Sequence, residues 1–287
     1  MANSIEVILN AGSGSHEARD SIEILEKVFR ASGRSFAISV ASGDEITRLA
    51  KEKAKSDCEV MVAGGGDGTI CGVAEAAREH GKNLGVLPLG TFNYFAKNLG
   101  IPLELEEAAR VILEGEPVRA SVLDLDGRLV LNNSSIGIHP AVLLRRRKLY
   151  RRFGRNQLNA YLSVLLTAFQ PAPRLRVRLA TEKGEVIRET PLVMICSNAF
   201  QMEAFALAGV ECLAEEKFAL YVARMSGRAT IFRLGLRALL RRLRPGIDYD
   251  VICVSDVTIE TLRRRRLKAA VDGELETLQS PMRFQLA

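Results

Sequence analysis

Tryptophan is absent from the 287 residues, and aromatic residues make up only 6% of them. That scarcity, together with the lack of any zinc-finger, RRM or KH signature, argues against a nucleic-acid partner read by base stacking. The five cysteines, Cys58, Cys71, Cys196, Cys212 and Cys253, are scattered singly without CxxC spacing. Such spacing argues against a disulfide framework or a structural zinc site and fits a reducing cytoplasm. His16, His80 and His139 share no metal-ligand spacing, and no nucleophile elbow supports a Ser/His/Asp hydrolase. No apolar run reaches eighteen residues, and "MANSIEVILN" lacks the basic-then-apolar pattern of a leader, so the chain reads as neither secreted nor membrane-spanning. Acidic residues are missing altogether from Tyr221 to Ile247. The net charge of +6 is therefore local, concentrated in Arg145 to Arg155 and Arg224 to Arg244.

What is present begins with alternation. "IEVIL", "FAISV", "EVMVA" and "LGVLP" are short β-type runs separated by helical patterns such as Glu17 to Phe29, Glu45 to Lys55 and Thr69 to Glu79. This order predicts βαβ units, a parallel sheet with helices on its faces. After "ELEEAARVILEG" the period changes. Asp126-Gly127 sits between alternating residues as a hairpin signal, and "RLRVRLATEKGEVI", "FALYVAR" and "DVTIETL" are strand-like. A boundary is expected near residue 123, giving an α/β domain over 1–123 and a β-rich domain over 124–287.

The stretch "VMVAGGGDGTI" ends one predicted strand in glycines and restarts as a helix at Thr69. Glycines there expose backbone amides at a helix N-terminus, a phosphate-binding arrangement. No Gly-Lys-Ser/Thr follows, so it is not a P-loop, and Thr69 in the sixth place spoils the dinucleotide fingerprint. Asp67 is the odd residue, since a carboxylate beside phosphates needs a divalent cation between them. The alternative is a tight strand-to-helix turn with Asp67 as an N-cap. "LNAGSGS" and "LPLGTFN" follow two other strands of the same half, and loops after parallel strands converge on one edge, where ligands bind.

Asn10-Ala11-Gly12-Ser13-Gly14, then "GGGDGT", then Pro88 to Ala96 ("PLGTFNYFA"), then Asp272-Gly273-Glu274 occur in an order and spacing that resembles the diacylglycerol kinase catalytic-domain family. That family includes diacylglycerol, sphingosine and ceramide kinases and bacterial relatives of the YegS type, and the resemblance runs over nearly the whole chain. "GGDGT" is shared with NAD kinases; the "P-x-G-T-x-N" segment and the "DGE" carry the lipid-kinase likeness.

The resemblance implies an N-terminal α/β nucleotide-binding domain of the NAD kinase and phosphofructokinase kind, a C-terminal β-sandwich domain, and ATP in the cleft between them. It carries ATP contacts onto Asn10, Gly12, Ser13, Gly14, Gly65, Gly66, Asp67, Gly68, Thr69, Gly90, Thr91 and Asn93, with a nucleotide-touching Thr falling on Ser39. It makes Asp272 and Glu274 the candidate general base, with the C-terminal segment returning to the ATP site. On the bare sequence "VDGEL" is a hairpin turn. If instead the segment is extended, both acids point to one face.

Two departures follow. The family aspartate that helps hold Mg²⁺ through water is here Tyr94, leaving Asp67 and Asp124 as the metal-site candidates. The Asp-Asp-Gly turn that holds a structural cation in bacterial members is matched by Glu215-Glu216-Lys217, and Lys217 argues against a cation there. The expected activity is transfer of the ATP γ-phosphate to a lipid hydroxyl, diacylglycerol-like or sphingoid, with Mg²⁺ near Asp67. The rivals are an NAD kinase-like enzyme acting on a soluble substrate and a decayed kinase that binds nucleotide or lipid without transfer.

Arg233, Arg237, Arg241 and Arg244 fall on one helical stripe, and Phe232, Leu236, Leu239, Leu240 and Leu243 on another. Such a helix suits peripheral contact with an anionic membrane, arginines reaching headgroups and leucines dipping inward. The alternative is a core-packed helix with a solvated arginine face. "RRRKLYRRFGR" adds to the membrane reading through Tyr150 and Phe153. Neither the acceptor nor the oligomeric state is written in a motif.

Overall fold

A computed structural model of the chain describes residues 4–11, 15–43, 45–154, 162–163, 166–167, 174–224 and 230–287. It divides into two compact units, 1–120 and 121–287.

The first unit carries β1 (Ser4–Asn10), α1 (Ser15–Ala31), β2 (Ser35–Ala41), α2 (Glu45–Lys53), β3 (Val60–Gly65), α3 (Asp67–Glu79), β4 (Asn83–Pro88), α4 (Tyr94–Asn98) and α5 (Leu105–Glu114). Its sheet has the order β2-β1-β3-β4 and is parallel throughout, as the alternation predicts. Every residue of β3 is buried, the signature of a parallel strand covered on both faces. Leu25 and Phe29 of α1 and Ala108 and Ala109 of α5 pack on one face, against Ile5, Val7, Leu9 and Val62. Burying Phe29 alone contributes about 2–3 kcal/mol.

The second unit holds β5 (Leu123–Leu125), β6 (Arg128–Val130), β7 (Asn133–Gly137), α6 (Ile138–Phe153), β8 (Leu175–Thr181), β9 (Gly184–Thr190) and β10 (Leu192–Cys196). It continues with α7 (Ala199–Ala204), α8 (Glu211–Ala214), β11 (Phe218–Ala223), α9 (Thr230–Leu239), β12 (Tyr249–Val254), β13 (Asp256–Thr261), β14 (Arg266–Val271), β15 (Glu274–Gln279) and β16 (Met282–Leu286). Two six-stranded sheets form, β12-β11-β10-β7-β14-β15 and β6-β5-β16-β13-β8-β9. Ile136, Val193, Phe218 and Leu220 of one sheet meet Leu123, Val177, Leu179 and Phe284 of the other in a shared core. The unit is a β-sandwich.

Asp126-Gly127 joins β5 to β6 with both residues at positive φ, +50° and +89°, the geometry a two-residue hairpin demands. The cysteines correct one expectation. Cys212 of α8 and Cys253 of β12 are joined in a disulfide, their Cα atoms 5.1 Å apart. Forty-one residues separate them in sequence, so only the fold brings them together. Among the described residues Cys58, Cys71 and Cys196 take part in no disulfide.

Candidate active site

At the C-terminal edge of the parallel sheet three strand ends lie side by side. Leu9 is in register with Gly64, and Gly65 with Pro88. The loops after β1, β3 and β4 therefore leave from one edge, and Asn10 Nδ2 donates to Thr69 Oγ1 at 2.9 Å, tying the first to the start of α3. Gly12, Ser13 and Gly14 lie outside the described residues. Ser39 stands opposite Ile8 in the edge strand β2, two residues back from its C-terminal end.

The glycines divide by reason. A Cβ at Gly64 would lie 2.2 Å from Leu9 Cδ2, one at Gly65 would lie 2.6 Å from Thr69 Cβ, and one at Gly90 would lie 2.4 Å from Gly66 Cα. These three are glycine because protein presses on them. Gly68 is different: it lies in the first turn of α3, its φ is not positive, and a Cβ there would meet nothing within 4 Å among the described residues. Glycine in a helix is disfavoured relative to alanine by about 1 kcal/mol, so no packing or backbone reason among the described residues accounts for it. The N-cap of α3 is Gly66, which has no side chain to cover the amides of that turn.

Asp67 is the first residue of α3, not its cap. Its carboxylate reaches across to α4, where Oδ2 accepts the Tyr94 amide at 3.2 Å and Oδ1 the Phe95 amide at 3.0 Å. Asn93, buried and left-handed at φ +51°, locks the loop before α4. Its Oδ1 accepts the Gly90 amide, and its Nδ2 donates to the Pro88 and Gly90 carbonyls, each at 2.9 Å. Thr91 is exposed beside this lock. The Tyr94 ring stacks on Phe92, centroids 5.5 Å apart.

In the second unit, Asp272 (φ +46°) and Gly273 (φ +82°) form the two-residue turn between β14 and β15. The hairpin turn read from the bare sequence is the one that forms, so the extended backbone that would put Asp272 and Glu274 on one face is not adopted. Asp272 Oδ2 accepts the Leu131 amide at 2.8 Å, and Oδ1 accepts those of Asn132 at 2.7 Å and Asn133 at 3.1 Å. Glu274 instead points outward to an ion pair with Arg147 of α6. Asp124 is buried in β5, and its Oδ1 accepts the Gly127 amide at 2.7 Å, a bond within its own hairpin. Asp67 belongs to the first unit and Asp124 to the second. Among the described residues, no three His, Cys, Asp or Glu side chains gather as a metal-binding group.

A buried polar network beside Asp272 escaped the sequence reading. Asn198 Nδ2 donates to Asn132 Oδ1 at 2.6 Å, Asn133 Nδ2 to Gln201 Oε1 at 2.7 Å, and Asn198 Oδ1 caps α7 by accepting the Gln201 amide at 2.7 Å. Asn133 Oδ1, Ser134 Oγ and Ser197 Oγ are buried with no hydrogen-bond partner among the described residues. Burial, with the Asp272 charge nearby, pushes the Cys196 thiol up to about 12, although the Asn198 backbone opposes it. The available signal was "NNSS", four polar residues in succession where the flanking pattern calls for a strand.

In the basic segment the described helix α9 ends at Leu239, and Arg233 and Arg237, each about a third exposed, reach the fully buried Asp248, at 3.4 and 2.7 Å. Burial raises the Asp248 pKa, but the bonds from Arg237 and the Arg244 amide, with the Arg237 and Arg233 charges, outweigh it and leave the carboxyl below its usual range. At the Glu215-Glu216-Lys217 turn, Lys217 Nζ pairs with Glu215 at 2.9 Å.

A parallel α/β unit with glycine-lined strand ends, followed by a β-sandwich, defines the class, and comparison points the same way. Residues 4–125 match the model of the family described as the diacylglycerol kinase catalytic domain. A diacylglycerol kinase of Staphylococcus carnosus is 29% identical over 140 residues, 48% of this chain and 46% of that one. A "Probable lipid kinase YegS-like" of Chromohalobacter salexigens is 40% identical over 113 residues, 38% of this chain and 36% of its own. The matched region thus spans less than half the length of these curated relatives. Solved structures from Bacillus anthracis str. Sterne carrying the diacylglycerol kinase designation superpose with TM-scores of 0.71 to 0.77 at 18–19% identity, covering 99% of this chain and 93–94% of theirs. At that identity they speak for the fold.

Proposed function

We propose that the chain is an ATP-dependent lipid kinase, passing the γ-phosphate to the hydroxyl of a diacylglycerol-like or sphingoid acceptor. The first unit takes the nucleotide and the second the acceptor. Gly68 carries the reading. A glycine that neither packing nor backbone geometry requires among the described residues, in the uncapped first turn of a helix at a converging sheet edge, suits close approach by phosphate oxygens.

The α3 amides and the loops of Gly65 to Gly68 and Gly90 to Asn93 hold the triphosphate, with Asn10 fixing Thr69 beside it. The acceptor hydroxyl oxygen attacks the γ-phosphorus, the bond to the bridging oxygen breaks, and ADP departs. Asp272 is the better base, because its carboxylate is oriented by three amides while Glu274 is occupied by Arg147 at the surface. The acceptor's proton passes to an Asp272 oxygen. The unpaired Asn133 Oδ1 nearby suits a second hydroxyl of the acceptor.

Magnesium fits the residues as an ion that keeps most of its water: Asp67 is the acid of the loop cluster, and both its oxygens already accept amides. When bound it would offset the charge that develops on the transferred group. That engagement of Asp67, with Tyr94 beside it, also favours the second reading, a protein that binds nucleotide and lipid without transfer. We place the protein in the cytoplasm as a peripheral visitor to anionic membrane, a reading supported by the exposed basic segments; among the described residues no helix is long and apolar enough to cross a bilayer.

Incubation with γ-labelled ATP, magnesium and a total lipid extract tests the proposal. Label in an extractable lipid supports transfer, and its chemistry identifies the acceptor. Nucleotide binding without labelled lipid favours the second reading, and label in a soluble product favours an NAD kinase-like enzyme.

A further inference from the structure

Two arginines of helix α9, each about a third exposed, are tied to a buried acid. Asp248 accepts two bonds from Arg237 Nη1, at 2.7 and 2.8 Å, and pairs with Arg233. Asp248 is fixed from the other side by the Arg244 amide at 3.0 Å, so the pairing is built into the fold. The helix is held down by ion pairs and by the buried Ile231. Its apolar stripe is consequently left facing out: Phe232 is 41% exposed, Leu236 43%, Leu239 39% and the following Leu240 53%. Soluble surfaces rarely leave a contiguous row of large apolar groups uncovered without a use for it.

The surroundings of the row select its occupant. No acid occurs between Tyr221 and Ile247, while Arg242 and Arg244 are exposed just beyond the apolar row. An apolar row flanked by exposed arginines, with no carboxylate in its segment, is complementary to a bilayer whose surface is anionic and whose interior is hydrocarbon. A protein partner of mixed charge would find nothing in this segment for its own basic residues.

We infer that Phe232, Leu236, Leu239 and Leu240 enter the acyl boundary of an anionic membrane, with Arg242 and Arg244 at the headgroups. The inference deepens the lipid-kinase reading by naming the surface that meets the bilayer, and it rests on that reading for its purpose alone. Arg233 and Arg237 stay with Asp248 and take no part in lipid contact. This division of labour reverses the arrangement in which every arginine of the stripe reaches for headgroups.

Because the chain contains no tryptophan, a single introduced indole reports on one position without background. Leu240→Trp and Leu236→Trp are mixed with vesicles of phosphatidylcholine and phosphatidylserine, with and without brominated acyl chains, and with pure phosphatidylcholine vesicles. The expected result is a blue shift and quenching by brominated lipid at both positions, strongest with phosphatidylserine present. Leu240→Asp, at a position 53% exposed, is expected to weaken vesicle binding about tenfold or more. Vesicle binding without quenching at either tryptophan would overturn the inference, since another face then meets the lipid. Absence of vesicle binding, with self-association that Leu236→Asp abolishes, would overturn it in favour of a second copy of the chain. Quenching in a protein that phosphorylates no acceptor, including a short-chain diacylglycerol in monomeric solution, leaves the docking surface standing and removes the kinase reading alone.

Discussion

The carboxylate of Asp67 accepts the backbone amide of Phe95 at 3.0 Å, so the one acid of the glycine loop is a cap for the next helix along. With the Tyr94 amide at 3.2 Å it satisfies two of the donors that the N-terminus of α4 leaves unpaired. A residue that the sequence presents as a charge among phosphates is also the joint between two of the loops that would hold them.

Asp67→Asn keeps one acceptor oxygen and loses the charge. We expect a stability loss of about 1 kcal/mol, the usual scale of a helix cap, by chemical denaturation. Phosphotransfer should fall far more, by about a hundredfold, because the neutral amide also removes the charge that would hold the water shell of a magnesium ion. A fall in stability with unchanged turnover would reduce Asp67 to a structural cap.

Asp272 and Glu274 separate cleanly by environment. Asp272→Asn should lower kcat by about a hundredfold or more and also destabilise the fold by about 1–3 kcal/mol, since three amides lose their anion. Glu274→Gln removes only an exposed ion pair and should change stability by less than about 1 kcal/mol and leave kcat within a few-fold. If the pattern of kcat is reversed, Glu274 is the base.

His139 gives the protein a pH dependence that needs no active-site group. Its Nδ1 lies 2.6 Å from Ser135 Oγ, and burial, with the Arg146 charge adding to it, lowers its pKa from 6.5 to about 4. The unfolded chain therefore binds a proton near pH 6.5 that the folded protein refuses, and stability falls as pH drops from there toward 4. The contribution is about 3 kcal/mol between pH 7 and pH 4. Denaturation curves across that range should show this slope in the parent protein and lose it in His139→Gln.

Much of the fold was legible because period and turn chemistry are local. The four parallel strands announce themselves by apolar runs closed with Gly, Pro or Asn, and both Asp-Gly turns, at Asp126 and Asp272, have the left-handed φ that the pair favours. What stayed hidden is what the tertiary fold decides. Cys212 and Cys253 pair across 41 residues, a distance that spacing rules do not cover. The arginine stripe of α9 looks solvated in sequence because Asp248, its partner, comes only after the chain has turned back toward β12. The site was legible at its glycines but not in their reasons: Gly64, Gly65 and Gly90 answer to neighbouring atoms, and only the space around Gly68 separates it from them.

That space makes Gly68 the sharpest probe. Alanine there meets nothing within 4 Å among the described residues and is the better helix former, so Gly68→Ala should be more stable by about 0.5–1 kcal/mol, read from its denaturation midpoint. The same methyl group stands where phosphate oxygens are expected to approach. Calorimetric titration of magnesium–ATP into the parent protein and into Gly68→Ala therefore tests the central claim most directly. The account predicts one-to-one uptake by the parent and a loss of about tenfold or more in affinity in the stabilised variant; equal affinity in the two, or no uptake by the parent, would contradict it.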